Sequence, residues 1–132
     1  MTKVKLIFEV FCVDDQSMSM IIENESFDNL PEGEFTHEID VDFPSKLRIT
    51  LTGKNAKDTI VENGEIVKDK AIILTDIKVH DVSVDKNYLP RFITLHTTNE
   101  DIVSNYWGFN GYIEIDFNAS NSFNWLVQTK HK

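Results

Sequence analysis

Apolar and polar residues alternate through most of this chain with the two-residue period of β-strands, not the 3.6-residue period of helices. Val4, Leu6, Phe8, Val10 and Cys12 take one phase, and Lys5, Ile7, Glu9 and Phe11 take the other. Successive side chains of a strand point to opposite faces, so this spacing predicts a first strand with a firm inner row, Cys12 included, and a partly apolar outer row. Met18, Met20 and Ile22 repeat the alternation after the polar turn Asp14-Asp15-Gln16-Ser17. The acidic, turn-rich stretch from Glu23 to Glu34 reads as a surface loop. Phe35, His37, Ile39 and Val41 form another alternating strand, ended at Phe43-Pro44 because proline lacks a ladder donor. Leu47, Ile49 and Leu51 make the next, closed by Gly53.

Asn63-Gly64 then sits between two short alternating runs, and both residue types tolerate positive φ. That favours a two-residue type I′ turn and a hairpin. A regular run follows from Ala71 to Val84, with Ile73, Thr75, Ile77 and Val79 on one face and Ile72, Leu74 and Lys78 on the other. The phase is disturbed at His80-Asp81, which marks a bulge or sharp bend. The stretch from Asp85 to Asn105 is the least regular and holds one short strand, Arg91 to His96. Asn105 to Gly111 reads as a turn-rich aromatic loop. Tyr112, Ile113, Ile115 and Phe117 enter a strand, and Phe123 to Val127 form a last one. Roughly seven to nine short strands joined by turns predict an all-β, antiparallel two-sheet β-sandwich, jelly-roll or immunoglobulin-like, with a protruding β-hairpin. A small closed barrel is the alternative. At 132 residues, the chain is expected to be one domain, 1–132.

Charge narrows the partners. Acidic residues outnumber basic ones, 22 to 13, for a net charge of −9. A nucleic-acid backbone or an anionic membrane surface would be repelled, whereas divalent cations and neutral ligands remain compatible. Cys12 is the only cysteine, so no internal disulfide and no cysteine cluster for zinc can form. A buried, inert thiol is expected there. No apolar run approaches the ~18 residues of a spanning helix, and Met1 to Glu9 lacks the features of a secretory signal. The expectation is synthesis in the cytoplasm without a signal peptide, which is compatible with assembly into a virion there.

Nucleophilic catalysis finds no support: there is no Gly-x-Ser-x-Gly elbow and no glycine-rich phosphate loop. His37, His80, His96 and His131 are scattered, and His37 falls on an apolar face as a structural histidine would. Asp40 and Asp42 share one face of an extended segment; such a pair could serve acid–base work or bind a cation, and the competing reading is a solvated strand face. Asn55, Asp58 and Asp69 flank the hairpin, and pairing about Asn63-Gly64 places positions 58 and 69 opposite each other. Opposed like charges need spacing, solvation or a bridging cation. The oxygens of Asn55, Asp58 and Asp69 suit a hard cation such as Ca²⁺. The competing reading is solvation, with Lys54, Lys57, Lys68 and Lys70 neutralising the charge. In the aromatic loop, Tyr106 or Trp107 can stack on a sugar face while Asn110 offers both donor and acceptor. The competing reading folds Trp107 and Phe109 back to plug the sandwich. Trp125 fits a strand pattern and the core.

Leu47-Arg48-Ile49-Thr50-Leu51-Thr52, followed by Asn55, Asp58, Asp69 and then Ile73 to Val79, resembles small calcium-dependent carbohydrate-binding modules. These have a strand, an Asn/Asp loop, then a strand of alternating aliphatics. The long Asn63-Gly64 hairpin departs from that pattern. The resemblance implies sugar binding and Ca²⁺. Gly53-Lys54-Asn55, Asp58-Thr59, Asn63-Gly64, Ile66 to Lys70, and Gly108-Phe109-Asn110-Gly111 with Phe117 and Trp125-Leu126 resemble small β proteins of tailed phages. That likeness, over residues 47 to 127, implies a virion or accessory component and supplies no catalytic residues. The combined expectation is a non-catalytic glycan-binding domain of a phage particle. Tyr106, Trp107 and Asn110 would serve the sugar, and Asn55, Asp58 and Asp69 the cation. The alternative is a structural virion protein, decorating a capsid or tail and contacting neighbours or further copies through sheet edges or the hairpin. A glycosidase built on paired carboxylates is disfavoured in a chain this short.

Overall fold

The computed structural model describes residues 2–13, 16–53, 59–84, 89–96, 101–103, 106–108 and 110–130. The strands are β1 (Thr2–Phe11), β2 (Ser19–Ile22), β3 (Glu25–Phe27), β4 (Gly33–Val41), β5 (Ser45–Thr52), β6 (Thr59–Glu62), β7 (Glu65–Asp69), β8 (Ala71–Val79), β9 (Val82–Ser83), β10 (Ile93–His96), β11 (Asp101–Val103), β12 (Tyr106–Trp107) and β13 (Gly111–Phe117). A 3₁₀ turn covers Leu89–Phe92, and one helix, α1, covers Ser122–Lys130. Two antiparallel sheets result. One runs β12-β8-β1-β4, with β9 also on β8; the other runs β11-β10-β13-β5-β2-β3. β6 and β7 form a separate two-stranded ladder. The fold is therefore the expected all-β sandwich with a hairpin arm.

The inner rows are those that alternation marks. Val4, Leu6, Phe8 and Val10 are fully buried against Met18, Met20, Ile49, Leu51, Ile113 and Ile115, in one continuous cluster. Each such aliphatic or phenyl side chain contributes about 1.5–3 kcal/mol of burial. Cys12 lies just past the end of β1 and is only half-buried, its Sγ 3.6 Å from the carbonyl of Leu30.

Four elements depart from the alternation. In β8 the inward residues are Ile72 and Leu74, then Ile77 and Val79. Ile7 pairs with Asp76 but Phe8 pairs with Leu74, so Thr75 is an extra residue that flips the phase. Glu25 to Phe27, inside the stretch read as a loop, pair with Met20 to Ile22 as β3. Tyr106 and Trp107, also read as loop, pair with Ile73 and Ile72 as β12. Finally, 123–127 are helical. Asn121 caps α1 by accepting from the amide of Asn124 at 2.9 Å, and Trp125 N–H donates to the Asn121 carbonyl at 3.1 Å. Ser122, Trp125 and Leu126 face inward while Phe123 and Val127 face out, which is helical rather than strand spacing.

Strand direction gives the sandwich two poles. Phe11, Ala71, Leu51 and Gly111 mark the pole from which the hairpin leaves. Thr2, Val41, Val79 and Phe117 mark the other, beside α1. Trp125 sits at this helix pole as a core residue, its ring 4.9 Å from Phe117 and 5.3 Å from Phe92, with Nε1–H donating to the Asp116 carbonyl at 2.8 Å.

Candidate functional site

At the hairpin pole the chain passes from β5 into the hairpin and from the hairpin into β8. Asn63 and Gly64 have φ of 53° and 82°, the left-handed pair of a type I′ turn. Pairing shifts between Ile60 and Val61, so Asp69 lies opposite Thr59 and not opposite Asp58. This slip corrects the direct pairing of positions 58 and 69 that the turn alone predicts. Asn55, Asp58 and the side chain of Asp69 lie outside the described residues.

Lys70 is not one of the solvated neutralising lysines: it is 4% exposed, and its ammonium donates to the Gly53 carbonyl at 2.8 Å. A buried ammonium requires such a partner, and the charge-assisted bond ties the first residue after the hairpin to the end of β5. Both roots of the arm are thereby fixed to each other.

Tyr106 and Trp107, expected to act together on a ligand, are separated by the pleat. Trp107 pairs with Ile72 and points the same way, into the core, where it is fully buried with its ring 6.0 Å from Phe8. It is not available for stacking. Tyr106 pairs with Ile73 on the outward face and is 43% exposed. Asn110 is exposed immediately before Gly111, which pairs with Leu51. Tyr106 and Asn110 therefore share the hairpin pole with Gly53 and Lys70.

Other candidates resolve more simply. His37 packs its ring 4.9 Å from Phe27, with Glu25 at 3.6 Å from its Nε2, as a structural histidine. Asp40 and Asp42 are exposed on a small cleft of about 190 Å³ that also includes Glu23 and Lys46. Tyr112 has the guanidinium of Arg48 4.0 Å above its ring, which covers that face. Among the described residues, no group of three or more His, Cys, Asp or Glu is placed to hold a metal ion.

Sequence reasoning missed the helix pole. Phe123 is 64% exposed, and its ring lies parallel to His80 at 4.5 Å and 8°. His80 Nε2 is 2.8 Å from Ser122 Oγ. His80 and Asp81, with φ of 53° and 61°, form a second type I′ turn between β8 and β9. The signal was present as the cap residues Ser120-Asn121-Ser122 ahead of an apolar run.

The architecture is that of an antiparallel two-sheet β-sandwich. The chain matches no protein-family profile and no curated protein. Among solved structures it is similar in fold to vCBM60, a calcium-dependent carbohydrate-binding module, in its selenomethionine form. The TM-score is 0.51 at 10% identity, over 88% of this chain and 91% of that one. It is likewise similar to vCBM60 in complex with galactobiose, with a TM-score of 0.52 at 10% identity, over 86% of this chain and 97% of that one.

Proposed function

We propose that this protein is a non-catalytic glycan-binding module whose ligand sits at the hairpin pole on Tyr106. One observation carries the reading: nearly the whole chain shares its fold with nearly the whole of a carbohydrate-binding module. The local geometry supports it. Tyr106 is held in a strand whose next residue, Trp107, is locked in the core, so the phenol ring is a pre-organised platform that loses little entropy on binding. Asn110 supplies hydrogen bonds in both directions. Trp107 acts as a positioning residue beneath Tyr106.

A calcium ion belongs to the same reading. Asn55, Asp58 and Asp69 carry hard oxygen donors of the type Ca²⁺ takes, and they flank the hairpin in sequence. The ion would fix the root of the hairpin next to the bound sugar.

Calorimetric titration with a panel of neutral oligosaccharides, galactobiose first, tests the reading with Ca²⁺ and with chelator. Saturable binding of a neutral sugar that chelator weakens, and that Tyr106→Ala weakens about tenfold, is the expected result. A folded protein that binds no sugar would overturn it and favour a structural role in a virion.

A further inference from the structure

We propose that the helix pole carries a second saccharide site, selective for a sugar bearing a carboxylate, with Phe123 as its platform and Lys5 and Lys78 as its anion fork. It shares with the proposed function only that the ligand is a sugar; its residues and its pole are different.

The platform comes first. Phe123 is the most exposed of the large apolar side chains among the described residues, yet it is held on both sides of its attachment. Its helix is capped by Asn121, and its ring is stacked on His80, itself anchored by Ser122. The ring lines a cleft of about 520 Å³ whose other walls include Thr2, Asp42, Ser120 and Asn121. An apolar ring rimmed by hydroxyl, amide and carboxylate groups matches a pyranose, which has one apolar face and an equatorial fringe of hydroxyls.

Charge then selects the sugar. Thr2 also borders a second cleft, of about 310 Å³, which His80 lines together with Lys3, Lys5 and Lys78. Lys5 and Lys78 are direct register partners in adjacent strands, so their side chains rise from the same outer face about 5 Å apart. Like charges opposed in this way repel, and an anion held between the two ammonium groups relieves that repulsion. Glu38 is register partner to Lys5 on its other side, but its carboxylate lies 3.9 Å from Lys3. Three lysines against Glu38 and Asp81 give this cleft a positive balance in a chain of net charge −9.

Distance agrees with a short oligosaccharide. Lys78 precedes His80 by two residues, about 7 Å along an extended chain, and the Phe123 ring centroid lies 4.5 Å from that of His80. One pyranose on Phe123 leaves the carboxylate of its neighbour within reach of the lysine fork.

The experiment compares oligogalacturonides with neutral galacto-oligosaccharides of equal length by calorimetry on the intact chain. The native protein is expected to bind the acidic sugar at least tenfold more tightly. The double substitution Lys5→Gln, Lys78→Gln should abolish that preference, and Phe123→Ala, at an exposed position that leaves folding intact, should weaken acidic-sugar binding about tenfold. Tyr106→Ala should leave acidic-sugar binding unchanged, which separates this site from the one at the hairpin pole. Equal affinity for acidic and neutral sugars would overturn the proposal, as would a preference that survives loss of both lysines. Competition by inorganic sulfate as strong as that by the sugar would also overturn it, by reducing the site to an anion fork without a platform.

Discussion

The hydroxyl of Thr75 donates to the carbonyl oxygen of Ile7 at 3.0 Å, across the point where the β1–β8 register slips by one residue. The bulged residue thus uses its side chain to satisfy an acceptor at the irregular step of the ladder. Thr75→Val keeps the shape and removes the bond. It is expected to cost about 1 kcal/mol, read as a fall of about 3–5 °C in melting temperature, with sugar affinity unchanged.

Tyr106 and Trp107 are neighbours in sequence with opposite duties, and substitution separates them. Trp107→Ala opens a cavity beside Phe8 and should destabilise the fold by about 3–5 kcal/mol in urea denaturation. Tyr106→Ala should change stability by less than about 1 kcal/mol while weakening glycan binding about tenfold, close to 1.4 kcal/mol. Equal loss of stability in the two variants would contradict the assignment of Tyr106 to the surface.

Lys70→Met replaces a buried ammonium with an apolar chain of similar length. The Gly53 carbonyl then loses its charged donor, at an expected cost of about 1–3 kcal/mol. Faster amide hydrogen exchange at the start of β8 and the end of β5 would show that the roots of the arm had loosened.

Asn121→Ala removes the oxygen that accepts from the Asn124 amide and should cost about 1 kcal/mol, whereas Asn121→Asp should hold stability near the native value. Circular dichroism at the helical minimum, followed through thermal unfolding, reads both.

The inner rows of β1, β2 and β5 were legible because one face of each is buried and the other solvated, so burial writes itself into alternation. In β8 alternation gives the wrong inner face, because a single bulged residue, Thr75, reverses the phase without any change in residue type. The two residues of β12 are too few to show a period; only pairing with Ile72 and Ile73 decides that Trp107 turns inward and Tyr106 outward. Phe123 to Val127 carries aromatic and β-branched residues that suit a strand, and the Asn121 cap with the seat of Trp125 beside Phe117 outweighs that preference. The hairpin was legible from Asn63-Gly64, but the one-residue slip in its register was not, so Asp69 came to face Thr59. The resemblance to carbohydrate-binding modules points to the fold that the structural likeness supports, while Trp107, expected as a sugar contact, is a core residue.

The two-stranded arm has a consequence of its own. Among the described residues, each of its strands leaves one edge of backbone donors and acceptors without a ladder partner. Such edges can recruit strands from other molecules and seed fibrils. Glu62 and Glu65 are exposed and directly opposed across the Asn63-Gly64 turn. Their mutual repulsion weakens the hairpin slightly, but a second arm stacking in register would have to bring four carboxylates together. The tip thereby guards the open edges against uncontrolled polymerisation.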